Sequence, residues 1–149
     1  MRRLLISIMI AGLVLFTSCA GTGSTVKKPD KATITDGIMT TSVDDDSKPT
    51  SPIKVSFAAD TPVVYCSFKL SGVVPGDVIN ASWYYVKGEA KDRENDLFQE
   101  INTIAQSESD SYYLAFYYDK PTKGWDKGDY KVVLSVNNKE KLTVPFKIE

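Results

Sequence analysis

The chain has 149 residues, with 18 Lys and Arg against 19 Asp and Glu, a formal net charge of -1 and no histidine. A near-neutral balance without a basic stripe argues against a nucleic-acid partner. The missing histidine removes the commonest catalytic base and a common zinc ligand.

In chain order, Arg2 and Arg3 form a positive start, and Leu4 to Phe16 form an apolar run interrupted by Ser7 and the small pair Ala11-Gly12. Residues 1–18 therefore read as a secretion signal. A spanning helix needs roughly 20 predominantly apolar residues, and this run breaks sooner, at Thr17-Ser18.

The segment Phe16-Thr17-Ser18-Cys19 resembles the bacterial lipobox, with an apolar residue, two small ones and a cysteine. The resemblance implies cleavage before Cys19 and a thioether-linked lipid on its sulfur, with palmitate among the acyl chains. Each buried methylene contributes about 0.8 kcal/mol, and two chains hold where one holds only marginally. The implied address is the extracytoplasmic face of a cell membrane or outer membrane. Ala20, where an aspartate would resemble an inner-membrane retention signal, favours the outer membrane. Apart from this covalent lipid no cofactor is expected.

Residues 19–52 then read as the lipidated cysteine followed by a flexible linker, because Thr, Ser, Gly, Lys, Asp and Pro dominate without a sustained period. As a coil such a segment spans roughly 30 Å. Asp44-Asp45-Asp46 lacks the alternate ligand spacing, turn glycine and closing glutamate of a calcium loop, so it reads as a solvated acidic patch.

Residues 53–149 carry short alternating runs separated by turn residues, the pattern of one all-β domain. A first strand is predicted at Ile53, Val55 and Phe57, and a second at Val64, Cys66, Phe68 and Leu70. Pro75-Gly76-Asp77 supplies a turn. A third strand from Val78 to Val86 puts Trp83 on one face, and Lys87 to Asp96 follows as a charged, solvated loop. Leu97 to Gln106 fits a helical stripe or a strand, and strand is chosen. Tyr112, Leu114, Phe116 and Tyr118 alternate, and Tyr130 to Val136 and Leu142 to Ile148 form a closing hairpin across Asn137-Asn138-Lys139-Glu140.

Asp126-Lys127-Gly128-Asp129-Tyr130 resembles the tyrosine corner of immunoglobulin-like sandwiches, in which the tyrosine hydroxyl returns to upstream backbone. Cys66 and Trp83 sit on the strands where such domains place a core cysteine and a core tryptophan. The resemblance implies an immunoglobulin-like Greek-key β-sandwich and structural roles for Cys66, Trp83, Gly128 and Tyr130. Val132 stands where antibody domains have their second cysteine, so apolar packing takes the place of a disulfide. The Gly124-Trp125, Gly128 and Tyr130 pattern also resembles small Ig-like domains of bacterial lipoproteins, and it brings no catalytic residues with it.

Enzymatic readings find little to stand on. Cys66 lacks the base or cation a catalytic thiol needs and reads as a small buried hydrophobe. The carboxylates Glu89, Asp92, Glu94 and Asp96 are interleaved with Lys91 and Arg93 and read as solvated rather than as a glycosidase pair. No glycine-rich phosphate loop joins a strand to a helix, and no metal site is expected. Asn80-Ala81-Ser82 matches a glycosylation sequon, but on a strand behind a bacterial-type signal it reads as accidental.

Tyrosine doublets occur at Tyr84-Tyr85, Tyr112-Tyr113 and Tyr117-Tyr118. Successive strand residues face opposite sides, so each doublet leaves one ring outside the core. With Trp83 and Leu114 inward, Tyr84, Tyr113 and Tyr117 face out, and Tyr65 joins Tyr113 and Tyr117 in one expected aromatic patch. Tyrosine suits interfaces because it combines a large apolar ring with a wet hydroxyl. Against this, its strand propensity alone explains half-exposed positions. Trp125 reads as closing the core beside the tyrosine corner or as stacking on a sugar. The expected function is a non-catalytic envelope module that binds a protein or glycan partner; the alternatives are a passive spacer and a carboxylate-based glycan-active enzyme.

Overall fold

The computed structural model describes residues 31–149. The predicted signal segment, Cys19 and the first part of the expected linker lie outside the described residues. The described chain is all-β, built as two antiparallel-dominated sheets. Its strands are β1 (Thr33–Thr40), β2 (Ser56–Phe57), β3 (Val63–Val73), β4 (Val78–Gly88), β5 (Asp96–Ile104), β6 (Ser109–Asp119), β7 (Gly128–Val136) and β8 (Lys139–Ile148), with one 3-10 turn at Lys91–Arg93. One sheet has the order β1-β3-β6, and the other β2-β8-β7-β4-β5.

Period-two alternation builds the core between the sheets. Val64, Cys66, Phe68 and Leu70 of β3 are fully buried, as are Ile79, Ala81, Trp83 and Tyr85 of β4. Tyr130, Val132, Leu134 and Val136 of β7 and Val144, Phe146 and Ile148 of β8 complete the inner layer. Cys66 has no disulfide partner, and burial pushes its thiol from the ordinary 9.0 up to about 12. That is the inert thiol expected of a core position. Trp83 Nε1 is buried without a hydrogen-bond partner.

Turn chemistry follows the sequence closely in two places. Asp77 N–H donates to the Val74 carbonyl at 3.0 Å, with Pro75 second and Gly76 third at φ +90°, which is a type II turn. The β7–β8 hairpin closes on Asn137 and Asn138, both at positive φ, the two-residue type I′ connection whose twist matches its strands. Leu97 to Gln106, ambiguous by pattern, is strand as far as Ile104, within β5.

Three expectations are corrected. The linker expected up to Pro52 ends much earlier, because Thr33–Thr40 forms a strand that pairs with β3 from Thr33 opposite Ser71 to Thr40 opposite Tyr65. The predicted strand at Ile53, Val55 and Phe57 shrinks to Ser56–Phe57, and Ile53 and Val55 are exposed. Only Phe57 of that apolar trio reaches the core, where its ring meets Phe146 edge-on. The Lys87 to Asp96 loop is not merely solvated, since Arg93 ties it to the neighbouring loop through Asp126 at 2.8 Å.

Residues 42–50 form a small antiparallel flap closed by the Val43–Pro49 bridge. Its tip contains the acidic run, where the Asp44 carboxylate accepts the backbone N–H groups of Asp46 and Lys48 at 3.0 and 2.8 Å. The run is thus an Asx-type turn. Thr40, Thr41 and Ser51 share hydroxyl contacts at the flap's root.

Candidate interaction surface

The outer face of the β1-β3-β6 sheet carries the predicted tyrosines. β3 and β6 pair in an unbroken register that puts Tyr65 directly opposite Tyr117 and Lys69 opposite Tyr113. The Tyr65 and Tyr117 rings lie 5.5 Å apart, tilted by 41°, within the range of a favourable aromatic pair. Tyr117 is 53% exposed, the one large exposed aromatic of the described chain. The inward members of the doublets behave as expected: Tyr118 packs edge-on against Phe98 and Trp125, and burial raises the pKa of Tyr112.

Tyr113 does not join that pair. Four residues along β6 from Tyr117, it lies beside the flap, where Lys48 Nζ sits 6.0 Å from its ring centre. The flap crosses the sheet between the two ends of the row. Ser67, opposite Ala115, is fully buried beneath it and donates its hydroxyl to the Ser47 carbonyl at 2.6 Å. The single three-tyrosine patch of the sequence reading is therefore two features, an open Tyr65–Tyr117 pair and a Tyr113–Lys48 contact.

Trp125 is corrected as a binding candidate. It is 5% exposed, its indole N–H donates to the Thr61 carbonyl at 2.9 Å, and its ring meets Tyr118, Tyr130 and Phe146 edge-on. Of its two readings, closure of the core is the one the geometry realises. Gly128 stands opposite Gly88 across β4 and β7; a Cβ on Gly128 would collide with the Lys87 carbonyl oxygen and the Gly88 α-carbon. Tyr130 donates its hydroxyl to the Asp126 carbonyl at 2.7 Å, closing the predicted corner. Burial, followed by the nearby Asp126 charge, holds the Tyr130 phenol well above its usual range.

Sequence reasoning missed Arg93. Its guanidinium bridges Asp96 at 3.1 Å and Asp126 at 2.8 Å and lies 5.9 Å from the ring centres of Tyr85 and Phe98. Phe98 faces inward because it is the extra residue of a bulge opposite Trp83 and Tyr84. Together Arg93, Phe98, Tyr118, Trp125 and Asp126 line a shallow cleft of about 360 Å³. Within it Arg93 and Asp126 are already paired with each other. No group of three or more Cys, Asp or Glu residues able to hold a metal occurs among the described residues.

No protein-family model matches the chain, and no match exists among curated proteins. Among solved structures the chain is similar to an alkylpurine DNA glycosylase of Pseudomonas fluorescens bound to DNA containing an abasic-site analogue, at 13% identity and a TM-score of 0.46, covering 79% of this chain and 30% of that one. It is also similar to a beta-glucosidase of Listeria innocua in complex with gluconolactone, at 10% identity and a TM-score of 0.46, covering 66% of this chain and 15% of that one. The same enzyme with glucose gives 8% identity and a TM-score of 0.47, covering 79% and 16%. The chain spans under a third of the length of each.

Proposed function

We propose that this protein is a lipid-anchored component of the bacterial cell envelope whose immunoglobulin-like sandwich serves as a non-catalytic interaction module. The lipobox-like Phe16-Thr17-Ser18-Cys19 supports the anchor and an extracytoplasmic membrane address. The two strand orders and the Tyr130–Asp126 corner support the immunoglobulin-like reading. The observation that carries the interaction role is the Tyr65–Tyr117 pair. Two phenol rings paired at a tilt on an outer sheet face, one of them 53% exposed, form an anchor of the kind that recurs at interface centres. A protein or glycan partner is the chemistry that fits, through ring stacking and phenol hydrogen bonds.

The test places a photoreactive residue at Tyr117 in intact cells of the source organism, with the lipid on Cys19 verified by mass. One dominant protein or glycan adduct, lost on Tyr65→Ser in a protein that still unfolds cooperatively, is the expected result. A blank from lipidated, folded protein would overturn this reading in favour of a passive spacer.

A further inference from the structure

Sheet edges invite pairing, and folded proteins normally blunt them. Four edge strands bound the two sheets, and three are blunted. β1 carries a bulge at Asp36-Gly37 and leans on β8, where a Cβ on Gly37 would touch Leu142 and Val144. β2 is two residues long. β5 is kinked by the Phe98 bulge and carries Asp96 and Glu100. β6 has no bulge and is not short, and its two charges, Asp110 and Asp119, sit only near its ends. It runs eleven residues, Ser109–Asp119, in register with β3 without a shift, and from Ser111 to Tyr118 it contains no proline and no charge.

The direction of its free backbone groups is determined by one hydrogen bond. Lys120 N–H donates to the Pro62 carbonyl at 2.7 Å, continuing the β3–β6 ladder. In an antiparallel pair a residue's N–H and C=O point to the same side, and the side alternates along the strand. The even-numbered residues therefore face β3, and Ser111, Tyr113, Ala115, Tyr117 and Asp119 direct their backbone groups to the open edge. Alongside lies a groove of about 450 Å³ lined by Ala115 to Thr122 and by Gln99 and Ile101 of β5.

We infer that β6 pairs antiparallel with β6 of a second copy of this chain, about a two-fold axis through Ala115. This register places Tyr113 opposite the partner's Tyr117, Ser111 opposite the partner's Asp119, and Ala115 opposite its own counterpart. All are residues whose backbone groups face the edge. The same register sets exposed Asp110 against the partner's exposed Lys120 at both ends, a complementary pair, while Asp119 meets the uncharged Ser111 and no two like charges stand directly opposite. On the outer face it joins the row Tyr65, Tyr117 and the partner's Tyr113, so the tyrosines that the flap separates within one protomer become neighbours across the seam. Two three-stranded sheets become one of six strands. The inference rests on the strand edge alone and does not depend on the lipid anchor or an external ligand.

The test uses the full chain solubilised in detergent, with single cysteines added at three positions and a short bismaleimide as cross-linker. The parent, carrying Cys19 and Cys66, sets the background. Ala115→Cys is expected to give cross-linked dimer well above it. Tyr113→Cys mixed with Tyr117→Cys should cross-link several-fold more than either alone, since only the mixed pair is directly opposed. Asp110→Lys should raise the dimer dissociation constant roughly five- to tenfold by setting like charges opposite each other, and Asp110→Lys combined with Lys120→Asp should restore it. These last variants lie on exposed positions, so they report even if Ala115→Cys fails to fold. Monomeric sedimentation at tens of micromolar with background cross-linking, equal cross-linking at all positions, or charge variants without effect would each overturn the pairing.

Discussion

Tyr130 donates its hydroxyl to the Asp126 carbonyl at 2.7 Å, while the Asp126 carboxylate takes Arg93 at 2.8 Å. One residue thus closes the turn into β7 and fastens it to the loop between β4 and β5. Tyr85 adds a second fastening, accepting the Ala90 N–H at 2.9 Å and donating to the Lys127 carbonyl. This end of the sandwich is held by phenols and one guanidinium rather than by a disulfide.

Tyr130→Phe keeps the ring packing against Phe146 and removes only the hydroxyl. One lost intramolecular hydrogen bond corresponds to about 1 kcal/mol. For a domain of this size the melting temperature should fall by roughly 4–8 °C. Urea unfolding with an unchanged slope would verify that the loss is in stability; no fall would mean that the corner contributes nothing.

Gly128→Ala tests a different constraint at the same corner. The added methyl has no room between the Lys87 carbonyl and the Gly88 α-carbon, which are backbone and cannot rotate away. Crowding of this kind costs about 1–3 kcal/mol. Gly76→Ala is the control, since a Cβ there meets nothing within 4 Å. Its positive φ disfavours alanine, but the steric clash is absent. Calorimetry on both variants should show the larger fall for Gly128→Ala.

These elements differ in how far the sequence reveals them. β3 and β7 were plain because each has one buried and one outward face, which prints a strict alternation on the chain. β1 was hidden because its bulge at Asp36-Gly37 breaks that alternation and half of its residues are polar. Ile53 and Val55 show the converse: they alternate without being buried, because the pairing of that segment with β8 begins only at Ser56. The tyrosines' outward direction was legible from parity, whereas the separation of Tyr113 from Tyr117 was not. That separation depends on where residues 42–50 cross the sheet, and the Ser67–Ser47 contact that places them joins segments twenty residues apart.

Stability should fall at high pH, beginning with Cys66. Burial raises its thiol from 9.0 to about 12, so the native state keeps a proton that the unfolded chain gives up. The contribution is fully present below pH 9 and is lost as pH rises toward 12, at up to about 1.4 kcal/mol per pH unit. Tyr130, also raised, adds a loss of the same sign, starting higher. Unfolding measured from pH 7 to 10 should show a decline that Cys66→Val flattens between pH 9 and 10. An unchanged slope in the variant would remove the thiol from the account.

Trp125 and Tyr117 should separate cleanly when truncated. Trp125→Ala removes a buried indole, three edge-on ring contacts and the hydrogen bond to Thr61. Losses of this kind run at about 3–5 kcal/mol, a large share of the 5–15 kcal/mol typical of a folded domain. Tyr117→Ser removes a half-exposed ring whose one aromatic partner is Tyr65, a loss of about 0.5–1.5 kcal/mol. Melting temperature should therefore collapse for Trp125→Ala and fall by only a few degrees for Tyr117→Ser. If the order were reversed, the tryptophan would belong to the surface and the Tyr65–Tyr117 pair to the core, and the assignment of the interaction face would have to be exchanged.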